Sequence, residues 1–435
     1  MSRCLASVFL LLSGSTAICA QQYAFFRIEG LPAIPGGSGI QSSGALTQPA
    51  LSGDGKTLVF RANGGNLVPA PGGAQVLAFS LTSGAISIAS KSPSGQASAS
   101  STSNERPAVS ANGRYVAFET TSFTYTGGVA GVHIVRVDQQ TNQFDLVNLD
   151  AGSALPPATL SKMGGISGDG RFVVFTSNAA NLVAGEPANS SNGVYLRDLL
   201  NDSTQRIDIS TAGIGGNGGA FGETPTISLD ARYVAFASTA TNLVSGALTG
   251  SQRIYLRDRN TSTTSRVSIG PGNSDLSGAG NAAISADGSS VVFRSNAAGG
   301  SATQLWARRL SAPTATAVPA AAGMGLCDIA RIADSGLVIT QCRNTSAMLP
   351  YQAFVWSLNT AAIAPELISG SDWANTIPGN GTSGSNVTIS ADARAFAFDS
   401  LASDLVQFDT NNVSDIFVYA EVSLIDTLLA DGFEQ

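Results

Sequence analysis

One phrase, written seven times, constrains this chain more than any other feature. It first reads Leu51-Ser-Gly-Asp-Gly-Lys-Thr-Leu-Val-Phe60. It returns as Val109-Ser-Ala-Asn-Gly-Arg-Tyr-Val-Ala-Phe118 and as Ile166-Ser-Gly-Asp-Gly-Arg-Phe-Val-Val-Phe175. Further copies run from Ile227 to Phe236, from Ile284 to Phe293, from Ile332 in degenerate form, and from Ile389 to Phe398. The anchors Ser52, Ser110, Ser167, Ser228, Ser285, Ala333 and Ser390 are spaced by 58, 57, 61, 57, 48 and 57 residues. A period of that length is one supersecondary unit, which cannot bury its own faces and must stack on its neighbours.

Each unit carries four short strand signals. In the second, Pro107–Ser110 and Tyr115–Phe118 flank Asn112-Gly113, a pair that tolerates the positive φ of a two-residue hairpin turn. Ile134–Val137 and Phe144–Val147 supply the third and fourth strands. A second signature lies between the second and third strands: Asn66-Leu-Val68, Asn181-Leu-Val183, Asn242-Leu-Val244 and, altered, Asp404-Leu-Val406. Nothing in the chain has helical periodicity. The expected fold is therefore all-β: a seven-bladed β-propeller of four-stranded antiparallel blades. The last unit is short of a fourth strand. The spare strand Tyr23–Ile28 is expected to complete it and close the ring, which otherwise would expose two sheet faces.

Residues 1–20 read as a secretory signal peptide: Arg3, an apolar stretch Leu5–Leu12 too short to span a bilayer, and small residues up to Ala20. The expected division is 1–20 signal, 21–422 propeller and 423–435 tail, with the product periplasmic or extracellular. Removing Arg3 from the 23 basic residues leaves 22 against 30 acidic, a net charge of −8. That sign excludes nucleic acid and anionic membrane surfaces as partners. Later stretches are too short in apolar run to insert in a membrane. In an oxidising compartment Cys327 and Cys342, which flank a hairpin around Asp334-Ser335-Gly336, are expected to pair. They face each other directly or stand two residues out of step. The loop closed is of 15 residues, for which the entropic estimate is about 3 kcal/mol.

The phrase Ser-x-Asp-Gly-Arg-x-Val-x-Phe resembles the PD40 (WD40-like) repeat of TolB-like propellers, over residues 48 to 422. That resemblance implies blades whose first strand is innermost, and a non-enzymatic, monomeric scaffold binding a protein, peptide or glycan at the channel mouth. The chain departs from the TolB pattern of an α/β domain before six blades, having seven repeats and fewer than thirty mature residues before the first. If the first strand is innermost, its opening residues line the mouth: Glu105, Arg106, Lys162, Glu223 and Asp328, with Gln48, Asn281 and Asn386. Water-filled solvation of a channel is the plainer reading of any one of them.

Other chemistry is thin. His133 is the single histidine, which removes the histidine-rich metal sites of related propeller lyases; it is expected in a loop or at a strand edge. A glycan hydrolase using channel carboxylates such as Glu105 and Glu223 would need two carboxyl groups about 5–9.5 Å apart. Asp409, Asn411 and Asp415 offer oxygens to Ca²⁺ in a calcium-stabilised structural protein, the one cofactor considered; a polar turn is the default. Tyr195 with Arg197, and Tyr255 with Arg257, alternate to one face and suit packing between blades with the arginines reaching to solvent. Ala231 and Ala393 replace the turn glycine. In the sixth unit, counting from Gly336 places Gln341 where the others have Phe. The tail Asp431-Gly-Phe-Glu434 resembles an ending of some secreted Gram-negative proteins.

Overall fold

The structure is a computed structural model that describes residues 2–3, 23–28, 41–68, 73–98, 104–156, 159–185, 192–220, 223–246, 248–296, 303–319, 326–343, 350–360, 363–372, 375–407 and 409–425. The segment expected to be a signal peptide, apart from Ser2–Arg3, and the tail from 426 onward, with Asp431–Glu434, lie outside the described residues. No helix among the described residues is long and apolar enough to cross a membrane.

The repeated phrase is a hairpin because its polar residues satisfy one another. In the third copy Ser167 Oγ donates to Asp169 Oδ1 at 2.5 Å, Asp169 Oδ1 accepts from Arg171 N at 2.9 Å, and Ser167 Oγ accepts from Phe172 N at 2.9 Å. The same three bonds recur around Ser52, Ser110, Ser228, Ser285 and Ser390. This is side-chain mimicry of a turn, which is why Ser and Asp or Asn hold those places. The following Arg reaches back to the end of the third strand, as Arg171 does to Asp198 at 2.6 Å and Arg232 to Asp258 at 2.8 Å. The terminal Phe60, Phe118, Phe175, Phe236, Phe293 and Phe398 are all fully buried.

Seven sheets of this kind follow one another. Their first strands are Leu46–Leu51, Asn104–Val109, Thr159–Ile166, Thr226–Ile227, Gly280–Ile284, Leu326–Ile332 and Ser383–Ile389. Each is followed by antiparallel partners in chain order, so the sheets read first, second, third, fourth strand outward. In the seventh, the outer place is taken by Tyr23–Arg27, antiparallel to Asp415–Glu421, with Ser2–Arg3 beyond it. The third blade's first strand also pairs in parallel with Gly131–Asp138 at Thr159 and Leu160, joining two blades into one sheet. A four-residue helix, Phe123–Thr126, capped by Ser122, replaces the Asn-Leu-Val loop in the second blade.

Apolar clusters lie between adjacent blades. The cluster joining the last blade to the first includes Ala395, Ala397, Ile416 and Val418 beside Leu46, Leu58, Phe60 and Leu77. Burying each such large side chain contributes about 1.5–3 kcal/mol. The Asn-Leu-Val loops add to this. Leu182, Leu243 and Leu405 are buried, while Asn66, Asn242 and Asp404 accept backbone N–H groups of Ser43, Asn217 and Asn380 just ahead of the first strands.

Two expectations need correction. In the sixth blade Ile332 pairs with Val338, so the turn is one residue shorter, and Thr340 rather than Gln341 holds the Phe place. Its hydroxyl donates to Ile329 O at 2.9 Å, a polar solution where the other blades bury a ring. His133 is neither looped out nor at an edge. It is buried inside Gly131–Asp138, opposite Thr120, with Nδ1 3.1 Å from Asn148 Nδ2. Burial pulls its imidazole below the usual range, so it sits neutral in the core.

Candidate functional site: the channel mouth

The two ends of the axis are built differently. At the hairpin-turn end the turns bond to one another in a closed circuit. Asp54 N donates to Ala111 O, Ala111 N to Gly168 O, Gly168 N to Leu229 O and Leu229 N to Ala286 O, at 2.8–3.0 Å. Asp287 N then donates to Asp334 Oδ1 at 2.7 Å, Asp334 N to Ala391 O at 3.0 Å, and Ala391 N to Gly53 O at 3.1 Å. The circuit has seven links, one per blade junction, and a carboxylate stands in for a carbonyl at just one. Small residues let the turns approach. Leu229 fills what they leave: a β-carbon at Gly53 would lie 2.9 Å from its Cδ1, and one at Gly168 3.1 Å from its Cβ. This end of the axis is a closed circuit of turns with the half-buried Leu229 at its centre.

At the other end the first strands begin. Glu105, Lys162, Glu223 and Asp328 occupy one equivalent place in four blades, three residues before the pairs Ala108↔Ala117, Gly165↔Val174, Thr226↔Ala235 and Arg331↔Ile339. A β-bulge follows this place in the first, second, third, fifth, sixth and seventh blades. At the bulge Gln48, Arg106 and Asn281 hold φ of 56°, 47° and 50°. That left-handed backbone costs a non-glycine residue about 1–2 kcal/mol, and here it recurs in three blades.

Side chains of neighbouring blades hold the bulges. Arg106 N donates to Gln48 Oε1 at 2.7 Å, Met163 N to Glu119 Oε1 at 2.8 Å, and Asn281 N to Glu223 Oε2 at 2.8 Å. Asp399 accepts from Asn386 N at 2.8 Å, from Asn386 Nδ2 at 2.6 Å and from Gln48 N at 3.5 Å. Ion pairs overlay these bonds. Arg106 Nη1 lies 2.8 Å from Glu119, Arg61 3.9 Å from Glu105, and Arg294 3.8 Å from Glu223 and 3.4 Å from Asp328. Asn281 Nδ2 also donates to Asp328 Oδ1 at 2.7 Å. Burial pushes the carboxyls of Glu119 and Asp399 above the usual range, against the Arg106 charge and the Asn386 donors respectively.

All five expected mouth residues thus lie at one end of the axis, in a girdle of mixed charge. Its pairs leave Arg106 the most exposed guanidinium, with 42 % of its side chain open to solvent. Exposed Phe123, Leu160 and Leu401 stand on the loops and strand starts of the same face. Glu119, Asp399 and Arg294 were not singled out by sequence; each directly follows the repeat's terminal Phe, and that fixed place was the signal for them.

The remaining candidates fall elsewhere. Asp409 and Asp415 are buried against the Arg27 guanidinium, at 3.1 and 3.6 Å, and Asn411 Nδ2 donates to Asp415 and to Ser42 O. The chain itself places a positive charge between these two acids. Tyr195 and Tyr255 are buried and stack on Phe175 and Phe236, but Arg197 and Arg257, expected to reach solvent, are buried with them, Arg257 bonding to Ser210 O of the previous blade. Cys327 and Cys342 are directly opposed and disulfide-bonded, with Cα atoms 4.0 Å apart. Among the described residues no group of three or more His, Cys, Asp or Glu gathers as metal ligands do.

No family model matches the sequence, and no curated protein matches it significantly. Solved structures do. The β-propeller domain of the Trilobed protease of Pyrococcus furiosus aligns with a TM-score of 0.52 at 10% identity, covering 87% of this chain and 97% of its own. The fold is a β-propeller. An oligogalacturonate lyase of Vibrio parahaemolyticus aligns at 0.50 and 12% identity over 92% of this chain and 97% of its own. A putative TolB of Agrobacterium tumefaciens has 16% identity over 63% and 80% of the two chains, with a TM-score of 0.40. At these identities the likeness concerns fold alone.

Proposed function

We propose that this chain is an exported, monomeric, non-enzymatic scaffold that binds a protein, peptide or glycan at the open mouth of its propeller. One observation carries the reading: at one end of the axis side chains of neighbouring blades bind the bulged strand starts, with Gln48, Arg106 and Asn281 in left-handed backbone, while at the other end the turns bond to one another in a closed circuit. Strain that recurs at one place and is held by side chains from neighbouring blades marks a surface kept in shape for contact. The mixed-charge girdle suits hydrogen-bonded recognition, and exposed Phe123 and Leu160 on the same face suit a ligand with apolar groups.

Export is supported by the Cys327–Cys342 disulfide, a bond of oxidising compartments. No cofactor belongs to this reading. Arg27 neutralises the Asp409 and Asp415 carboxylates in the place a calcium ion would take. Glu105 and Glu223, the carboxylates a glycan hydrolase would use, are engaged by Arg61, Arg294 and the Asn281 backbone N–H, which supports a binding role over a catalytic one.

The test is quantitative capture of envelope proteins and glycans by the crosslinked protein, compared with Arg106→Ala and Asp328→Asn. Loss of a specific ligand in these variants, with melting temperature kept, is the expected result. Capture unchanged by both would place the binding surface elsewhere.

A further inference from the structure

The Cys327–Cys342 bond stands at a position that recurs around the ring: the cross-strand pair just ahead of the mouth residue. In the second blade Thr120 Oγ1 donates to Asn104 Oδ1 at 2.8 Å. In the third, Ser161 Oγ donates to Ser177 Oγ at 3.0 Å, and in the seventh the Ser383 and Ser400 hydroxyls are 2.7 Å apart. Those clasps are hydrogen bonds and need no chemistry to form. The sixth blade alone has cysteines there. Thiols are weak donors and acceptors, so two reduced cysteines do not replace a hydroxyl pair.

What the clasp holds is Asp328, the residue after Cys327. It joins the sixth blade to the fifth at the mouth, through Asn281 Nδ2 and Arg294. An apolar cluster including Val292, Leu305, Cys327, Val338, Cys342 and Trp356 packs the same junction, but its polar ties differ from those of the other junctions. At the turn end this junction has the one link made by a side chain, Asp287 N to Asp334 Oδ1. In the core Thr340 holds the place of a phenylalanine.

We propose that oxidation of Cys327 and Cys342 completes the mouth: in the dithiol form the start of the sixth blade is unclasped, and Asp328 leaves Arg294 and Asn281. The ligand site is then assembled only after the chain reaches an oxidising compartment. The oxidant is a disulfide, that of a thiol oxidoreductase or of oxidised glutathione. One cysteine thiolate attacks a sulfur of that disulfide, forming a mixed disulfide and expelling the first thiolate. The second cysteine attacks the mixed disulfide and expels the other. Two electrons and two protons pass to the oxidant, which leaves as two thiols. The inference rests on the mouth being the binding site, but its test needs no ligand.

The measurement is backbone hydrogen exchange on the full chain in four forms: oxidised, refolded with dithiothreitol, Cys327→Ala with Cys342→Ala, and Cys327→Ser with Cys342→Ser. Exchange in 326–332 and 280–284 is expected to rise about tenfold in the reduced and alanine forms. The serine pair restores the clasp of the third and seventh blades and stays near the oxidised rate. Segment 159–166 is expected to be unchanged throughout. Equal rates in reduced and oxidised protein, a rise spread evenly over all blades, or a serine form as fast as the reduced one would overturn the proposal. Should the alanine form fail to fold, the reduced and serine forms still decide. Capture by Arg106→Ala tests the mouth reading separately.

Discussion

Gly53 of the first blade and Leu229 of the fourth meet across the propeller axis, with a β-carbon at residue 53 falling 2.9 Å from Leu229 Cδ1. Residues 176 positions apart in sequence are thereby coupled. Gly53→Ala is expected to cost about 1–2 kcal/mol by overpacking. With Leu229→Ala already present that cost falls by about 1 kcal/mol, as contact between the two sites requires. Chemical denaturation of the four proteins of this cycle measures it; additive effects would mean the two are not in contact across the axis.

The turn alanines carry measurable strain. Ala231 and Ala393 hold φ of 58° and 63° where Gly55, Gly113, Gly170 and Gly288 stand in other blades. Ala231→Gly and Ala393→Gly are each expected to stabilise by about 1 kcal/mol, the relief of left-handed strain less the added chain entropy. Thermal unfolding reads the gain, and a loss in either variant would contradict this account of the turn.

A pH dependence follows from the one side-chain link of the closed circuit. Burial, with the Asp287 carboxylate beside it, raises the Asp334 pKa to about 6. A raised carboxyl binds its proton more tightly folded than unfolded, so its penalty is absent at pH 3.5 and grows as pH rises through 4 to 6. Asp334→Asn keeps the acceptor for Asp287 N and removes the charge. It is expected to be more stable than the parent by about 1 kcal/mol at pH 7.5, after allowance for solvent screening, and equal to it at pH 3.5. A variant less stable at pH 7.5 would show that the charge is used rather than tolerated.

The hairpins were legible in the sequence because Ser and Asp or Asn of the phrase act on neighbours within the same hairpin, whereas the pairs of Arg171 and Arg232 with Asp198 and Asp258 span to the third strand and were not singled out. The bulges were not legible either. Gln48 and Arg106 are not turn residues by type, and the groups that hold the bulges, such as Asp399 and Glu223, come from other blades. The sixth blade misled for a local reason: its turn is one residue shorter, which moves Thr340 into the Phe place. Arg27 meets Asp409 and Asp415 only because the N-terminal strand joins the last blade. No spacing rule announces such a contact.

That cluster separates calcium from arginine as the neutralising charge. With Arg27 in place, Ca²⁺ and a chelator are both expected to leave the melting temperature unchanged. Arg27→Met removes the cation beside the buried Asp409 and Asp415 carboxylates and is expected to cost about 3–5 kcal/mol. A rise in melting temperature with Ca²⁺ that Asp409→Ala and Asp415→Ala abolish would restore the calcium reading.

The central claim is that ligand meets the protein at the mouth and not at the turn end. A photo-crosslinking amino acid placed at Leu160, exposed on the face of the mouth, and at Leu200, exposed at the turn end of the same blade, tests it in living cells. A discrete adduct is expected from position 160, lost with Arg106→Ala and Asp328→Asn, and none from position 200. Adducts from position 200 alone, or from 160 unaffected by both mouth variants, would contradict it.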